Sequence, residues 1–292
     1  MDRINLTNDR FVGKNEEPFF IAEIGNNHNG DLELAKKMIK ICKEIKVDAV
    51  KFQVKDVETA FSKELLDKPY LGPNSFGKTY REHKQALEFS KKELKMIYDY
   101  AKSLNIVCFA TPFDIKSVEL LEELENPIYK ISSFHVADLE LIKSVAKTSK
   151  PIIMSTGMSS IEEIDNAVKI IREFHDNLIL LQCTSCYPTD DEDMNLKVIQ
   201  TLQKRYNCPV GYSSHEKGVG ITPSSVALGA SVIERHFTLD RTMKGPDHAS
   251  SVEPTGMKLI IVRAKRLFTA LGTSEKTVLD SELDNRKKFR GY

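Results

Sequence analysis

Residues Phe20–Asp31, FIAEIGNNHNGD, decide how the chain is read. An apolar run carrying one acid, Glu23, breaks at Gly25 into Asn26-Asn27-His28-Asn29-Gly30. An Asn-Gly pair after apolar residues is the signal of a tight hairpin, and a hairpin needs a returning strand. The next segment is LELAKKMIKICKEI, in which Leu34, Met38, Ile41 and Ile45 share one face of a helix and Asp31 stands where it can cap the first turn. The order is strand, turn, helix, so Glu23 ends a strand and Asn29-Gly30 turns the chain into a helix.

The same unit recurs. Eight short apolar or β-branched runs are separated mostly by amphipathic helix-length segments: FFIAEIG (19–25), AVKFQ (49–53), IVCFATPF (106–113), PIYKISS (127–133), PIIMSTG (151–157), LILLQCTS (178–185), CPVGYSSH (208–215) and SVIERHFTL (231–239). Strands alternating with helices imply a parallel sheet. Eight such runs closed by a helix-like stretch near 254–270 predict an α/β fold of the (β/α)8 TIM-barrel class, and no GxGxxG follows the first run to argue for a dinucleotide fold. Ser90 with Glu93 forms a capping box, and Ser159 or Ser160 starts IEEIDNAVKIIREF with acids in its first turn. The reading is one barrel domain over residues 1–292, with its core at about 19–270. INLTNDRFVG forms a short N-terminal hairpin under the barrel, and the tail after 271 is charged. Residues 54–90 form an insertion long enough to be functional.

Composition narrows the class. Of 292 residues, 41% are hydrophobic and 29% charged, as in a globular protein with a sizeable core. Lys+Arg and Asp+Glu are both 42, so no global basic field points to nucleic acid. No apolar run approaches the roughly 20 residues that span a bilayer, and the N-terminus lacks the apolar core of a signal peptide, which argues against a membrane partner. Five scattered cysteines fit reduced thiols in the cytoplasm. Cys183-Thr-Ser-Cys186 is a lone CxxC that follows a strand, with no second pair to complete a four-thiolate zinc site.

In a barrel, catalytic groups project from the C-terminal ends of the strands. Here each strand ends on chemically competent residues: Glu23; Lys51 with Gln53; Thr111; Lys130 with Ser133; Ser155; Ser185 with Tyr187; Ser213 with His215; and His236. One polar strand end is explained by a capped turn; eight of eight are not. A lysine in an apolar strand is costly to bury unless it meets an anion or forms a Schiff base. Lys51 and Lys130, with the hydroxyls of Thr111, Ser133, Ser155 and Ser213, read as a cradle for a phosphate or carboxylate. A snorkelling lysine and an aldolase-type amine are the alternatives. His215 and His236 end consecutive strands, and two imidazoles leave several positions of a divalent metal open for Lewis-acid work. Taken singly, each is a hydrogen-bonded wall histidine. Glu234 shares a face with His236 and is a candidate partner for it. His83 and His175 sit among charges and read as surface residues, while His28, His135 and His248 fall in rim loops without an assignment. Asp240, Asp247 and His248 lie in a Gly-Pro loop over the top, where Asp247 reads as a substrate contact.

These residues, in this order, resemble the sialic acid synthase family, whose members are phosphoenolpyruvate-dependent synthases of nine-carbon 2-keto-3-deoxy acids. IAEIGNNHNGD, AVKFQ, FATPFD, YKISS, IMSTGM, QCTSCYP, VGYSSHE, RHFTLDR and KGPDHASS carry the resemblance over about residues 19–253. It implies condensation of phosphoenolpyruvate with the open-chain aldehyde of an N-acyl hexosamine or a diacetamido-dideoxyhexose, for a cell-surface glycan. It maps phosphate binding onto Lys51, Thr111, Lys130, Ser133, Ser155 and Ser213. A divalent metal, manganese first with magnesium or cobalt as alternatives, falls on His215 and His236. Sugar contacts fall on Glu23, Gln53, Asn74, Tyr187 and Asp247. The implied chemistry is attack of C3 on the polarised aldehyde, addition of water at C2 and loss of phosphate by C–O cleavage, with Glu23 moving a proton and Glu23, Lys51, Lys130 and His236 as the catalytic set.

Two departures accompany the resemblance. Family members commonly continue into an antifreeze-like domain that reaches over the partner subunit's sugar site, whereas this sequence stops at Tyr292. The expectation is therefore that this domain is absent, separately encoded or removed from the sequence at hand, with a homodimer as the expected assembly. Many members also carry an acid where this chain has Phe134-His135. Two rivals stand beside the main reading. One is a synthase acting on a sugar phosphate, which a basic cluster at Lys78, Arg81 and Lys84 would favour. The other is a non-catalytic sugar-binding barrel.

Overall fold

The computed structural model describes residues 3–7 and 10–292. Its strands are β1 (Arg3–Thr7), β2 (Arg10–Gly13), β3 (Phe19–Gly25), β4 (Ala49–Val54), β5 (Val107–Pro112), β6 (Tyr129–Ile131), β7 (Ile152–Ser155), β8 (Leu178–Cys183), β9 (Val210–Ser214) and β10 (Val232–His236). Strands β3 to β10 pair in parallel in chain order, and β10 closes on β3 to make the expected eight-stranded barrel. Parallel neighbours each need a crossover. Helices Leu32–Glu44, Lys91–Ser103, Ile115–Glu123, Leu139–Ala146, Ile161–Arg172 and Val198–Tyr206 supply six, a 3-10 stretch at Thr222–Leu228 supplies the seventh, and Pro254–Leu271 completes the outer ring.

Local chemistry sets these boundaries. The Asp31 carboxylate accepts from the amides of Glu33 and Leu34, so the first helix starts where Asn29-Gly30 ends the turn. Capping boxes close the N-termini at Ser90–Glu93 and Ser160–Glu163, which assigns the latter cap to Ser160.

Alternation along the strands splits the core in two. Phe20, Ala22, Ile24, Val50, Phe52, Tyr212 and Ile233 pack outward beneath the helices. Phe19, Ile21, Ala49, Phe109, Ile153, Ile179, Leu181 and Val232 fill the barrel itself. Ile4, Leu6 and Val12 of the β1–β2 pair join this inner cluster, as expected of a plug at the barrel floor; Asn8 and Asp9 of the expected hairpin lie outside the described residues. Ile4 is 1% exposed. Its replacement by alanine is expected to cost about 2–5 kcal/mol in urea unfolding, with binding at the opposite end of the barrel retained.

The insertion after β4 folds over the top as three short helices, Val57–Ala60, Lys63–Leu66 and Tyr80–Gln85, capped by Asp56, Ser62 and Thr79. His83, expected at the surface from its charged neighbours, is instead buried, 4.4 Å from the Tyr70 ring centroid, and its Nδ1 accepts from the amide of Phe76. The aromatic residues of the insertion need a centre to pack on, and the imidazole provides it. His175 is half-buried rather than exposed. The charged tail forms an exposed helix, Leu283–Arg290. Among the described residues no helix is long and apolar enough to cross a membrane.

Candidate active site

Above the apolar filling, the inward positions change character. Each inner row runs from hydrocarbon to polar: Ile21 to Glu23, Ala49 to Lys51, Phe109 to Thr111, Ile128 to Lys130, Ile153 to Ser155, Leu181 to Cys183, Gly211 to Ser213 and Val232 to Glu234. The polar ends line one cavity of about 450 Å³ at the C-terminal end of the barrel.

Two buried lysines organise it. Lys51 Nζ lies 2.6 Å from Glu23 Oε2 and 3.7 Å from Glu234 Oε2, and donates to Thr111 Oγ1 at 3.0 Å. Lys130 Nζ lies 3.7 Å from Glu234 Oε1 and donates to Ser155 Oγ at 2.7 Å and the Ile131 carbonyl at 3.2 Å. Ser213 donates to Glu234 Oε1 at 3.1 Å, so one carboxylate stands between both ammonium groups. Burial works against the Lys51 charge, yet Glu23 and Glu234 together outweigh it and hold its pKa above the ordinary lysine value. Burial prevails at Lys130, whose pKa is lowered despite Glu234. Burial alone would raise the Glu234 pKa, but Lys130, Lys51 and His236 bring it down to about 2. The cradle thus sets groups of both signs side by side in a buried wall.

Two glycines allow this crowding. Gly157 donates its amide to Ser133 Oγ at 3.0 Å, and a Cβ there would lie 2.4 Å from Ser185 Oγ and 2.9 Å from Ser133 Oγ. Gly25 adopts φ +54°, and a Cβ would press on Glu23 and Gln53, whose Nε2 donates to Glu23 Oε1 at 2.9 Å.

His215 and His236 line the same cavity, ring centroids 5.5 Å apart, with the Tyr187 ring 4.0 Å from His215 and 6.0 Å from His236. His215 Nδ1 is 2.9 Å from the Thr184 carbonyl, which can only accept, so Nδ1 carries the hydrogen and Nε2 keeps its lone pair. Burial, reinforced by His236, lowers the His215 pKa to about 3, leaving it neutral as a metal ligand must be. His236 Nδ1 is buried with no hydrogen-bond partner among the described residues. An oriented lone pair beside an orphaned imidazole nitrogen fits a divalent ion. Among the described residues no cluster of three or more His, Cys, Asp or Glu side chains could hold one, so a divalent ion bound here would have these two imidazoles as its protein ligands.

The remaining wall is broader. Gln53, Tyr187 and Asp247 line it, joined by Asn26, Phe61, Tyr80, Lys84, Phe113 and His135. Asn26 donates to Gln53 Oε1 at 3.3 Å. His135 Nδ1 is 2.8 Å from Ser132 Oγ, its ring edge-on to Phe113. Of the residues given a catalytic, substrate or metal role from the sequence, Asn74 alone is not part of the cavity wall; its Oδ1 accepts from the Gly245 amide at 3.3 Å, tying the insertion to the Asp247 loop. His28 and His248 are buried supports: His28 stacks on Phe89 at 4.1 Å, and His248 Nδ1 is 2.6 Å from Thr238 Oγ1. Cys183 lines the cavity and Cys186 is exposed, both as free thiols.

Sequence reasoning gave Glu234 too small a part. It was visible as a neighbour of His236, but its position between Lys51 and Lys130 joins strands that are not adjacent. Strand-by-strand inspection cannot reveal that; alternation applied to all eight inner rows together could have.

The chain has counterparts among known proteins. Residues 38–276 match the model of the NeuB family. The chain is 40% identical over 287 residues to N-acetylneuraminate-9-phosphate synthase of Homo sapiens, covering 98% of this chain and 80% of that protein. It is also 40% identical over 274 residues to N,N'-diacetyllegionaminic acid synthase of Campylobacter jejuni, covering 92% and 82%. A crystal structure of N-acetylneuraminic acid (sialic acid) synthetase from Leptospira borgpetersenii in complex with citrate superposes with a TM-score of 0.86 at 34% identity, covering 99% of this chain and 98% of that one.

Proposed function

The chain belongs to the NeuB family, and from that premise we propose that it condenses phosphoenolpyruvate with the open-chain aldehyde of an N-acyl hexosamine or diacetamido-dideoxyhexose. The products are a nine-carbon 2-keto-3-deoxy acid and inorganic phosphate. The observation that carries the proposal is the pair of buried lysines, each with a hydroxyl partner, lining one cavity with two imidazoles at the C-terminal end of a barrel.

Lys51 and Lys130, with Thr111, Ser133, Ser155 and Ser213, bind the phosphate and carboxylate of phosphoenolpyruvate. In this reading C3 of phosphoenolpyruvate is turned toward His215, His236 and Tyr187, where the aldehyde is held. Manganese(II), or another divalent ion, on His215 and His236 would supply Lewis-acid polarisation of a carbonyl there. Bonding of C3 to the aldehyde carbon leaves C2 electron-poor; water adds at C2, and the C2–O bond to phosphate breaks to leave the ketone. Glu23 exchanges a proton with the new hydroxyl or with the added water, while Gln53 and Lys51 hold one carboxylate oxygen each. Gln53, Tyr187 and Asp247 orient the sugar, and Asn74 supports them by fixing the Asp247 loop. A cytoplasmic homodimer serving surface-glycan synthesis belongs to the same proposal; five free cysteines agree with a reducing compartment.

The distribution of cations favours an unphosphorylated acceptor. The human relative is named for a 9-phosphate product, the Campylobacter relative for an unphosphorylated acid. A phosphate acceptor would need cations beyond the cradle. Arg81 is spent on Glu58 and Asp67, Lys55 on Glu88, and Lys78 is exposed outside the cavity wall. Lys84 alone reaches the cavity, where burial lowers its pKa and the Asp247 charge opposes that effect. An acidic neighbour suits sugar hydroxyls and repels a phosphate. The unphosphorylated amino sugar is therefore expected to exceed its 6-phosphate in kcat/KM by about tenfold or more. Faster turnover of the phosphate would reverse this choice.

A further inference from the structure

The residues beside the two imidazoles face the other way. On β9, β10 and the extension of β9, Ser213, His215, Glu234 and His236 line the cavity, while alternation on β10 turns Arg235 to the outside of the barrel wall, where Glu216 also lies. There they meet. Arg235 Nη1 donates to Glu216 Oε1 at 3.0 Å, and each side chain is 1% exposed. Nη1 also donates to Thr222 Oγ1 at 2.9 Å and the Gly218 carbonyl at 3.1 Å, while Nη2 donates to the backbone carbonyl of Glu216 at 3.0 Å. Thr222 gives its amide and hydroxyl to Glu216 Oε1, at 3.0 and 2.8 Å.

This grip begins where the sheet stops. The β9–β10 register runs Tyr212 to Ile233, Ser213 to Glu234 and Ser214 to Arg235, and goes no further. His215 lies one residue beyond the last pair, so the ladder does not set its distance from His236. On the far side the segment is held by the loop that follows β8: Thr189 donates its amide to the His215 carbonyl, and His215 Nδ1 donates to the Thr184 carbonyl. On the β10 side the hold is Arg235. The arrangement is a poor one for stability alone, because Arg235 Nε and Glu216 Oε2 stay buried without hydrogen-bond partners among the described residues. Two buried charges that leave atoms unsatisfied are commonly replaced by apolar side chains without loss of stability.

We propose that the Arg235–Glu216 pair is a positioning device that continues the β9–β10 ladder by one residue and sets the spacing of His215 and His236 for a divalent ion. The proposal rests on the reading of those histidines as metal ligands, and its test separates the two. Manganese(II) alone is titrated, by electron paramagnetic resonance of the free ion, into the parent protein, His236→Ala and the double variant Arg235→Met/Glu216→Met. The double variant is expected to unfold at no lower temperature than the parent, to bind phosphoenolpyruvate unchanged through its lysines, and to bind manganese about 10–100-fold more weakly. A folded double variant with parental manganese affinity overturns the proposal. Parental affinity no greater than that of His236→Ala overturns the metal reading itself, and the positioning role with it. Should the double variant not fold, Arg235→Lys retains the charge but cannot grip the Glu216 carboxylate and carbonyl together. Weaker manganese binding in that folded variant supports the device, and parental binding refutes it.

Discussion

Lys51→Met is expected to lower kcat/KM for phosphoenolpyruvate by about 10²–10³-fold, the range for losing one preorganised charged donor in a dry site. Its ammonium meets Glu23 at 2.6 Å, Glu234 at 3.7 Å and Thr111 at 3.0 Å. Methionine removes the attraction for an anionic substrate and also leaves Glu23 without its cation. Breaking so buried a pair costs about 3–5 kcal/mol in stability, so folding is checked by circular dichroism before rates are compared. The double variant Lys51→Met/Glu23→Gln relieves the stranded charge and should recover stability without recovering activity. Recovery of both would mean that Lys51 merely neutralises Glu23.

Glu234→Gln is expected to change the pH profile, and its sign identifies the role. Burial holds the Lys130 pKa low, and the Glu234 carboxylate is the main influence raising it. With glutamine that support is gone, so the Lys130 pKa falls further. Lys130 is charged below its pKa, and loss of that charge draws the alkaline limb of kcat/KM for phosphoenolpyruvate. The limb therefore moves to lower pH. Well above it the defect approaches the about 10²–10³-fold loss of one charged group, while at acid pH the variant binds phosphoenolpyruvate at least as well as the parent, one repelling carboxylate being absent. A uniform loss at every pH would place Glu234 in proton transfer instead.

Much of the barrel was legible because its inner rows repeat one rule. Phe19, Ile21 and Glu23 in the opening strand already state it: apolar filling below, chemistry above. The turn at Gly25 and the cap at Asp31 are set by neighbours in sequence, so local chemistry exposes them. What was hidden depends on contacts across the barrel or within irregular chain. Glu234 acts on Lys51 and Lys130 from strands it does not pair with. His83 is flanked by Arg81, Glu82 and Lys84, yet rings from Tyr70, Phe76 and Tyr80 surround it, because helices of four to six residues carry no readable periodicity. Asn74 touches the Asp247 loop rather than the cavity for the same reason.

The central claim is that one cavity joins phosphoenolpyruvate to an amino-sugar aldehyde. It is tested most directly by incubating the protein with phosphoenolpyruvate, manganese(II) and a panel of N-acyl hexosamines and diacetamido-dideoxyhexoses, reading phosphate and product mass together. One phosphate is expected for each nine-carbon acid formed, with neither appearing when the sugar or phosphoenolpyruvate is omitted. Phosphoenolpyruvate binding without turnover of any sugar in the panel, or phosphate release that needs no sugar, would contradict it.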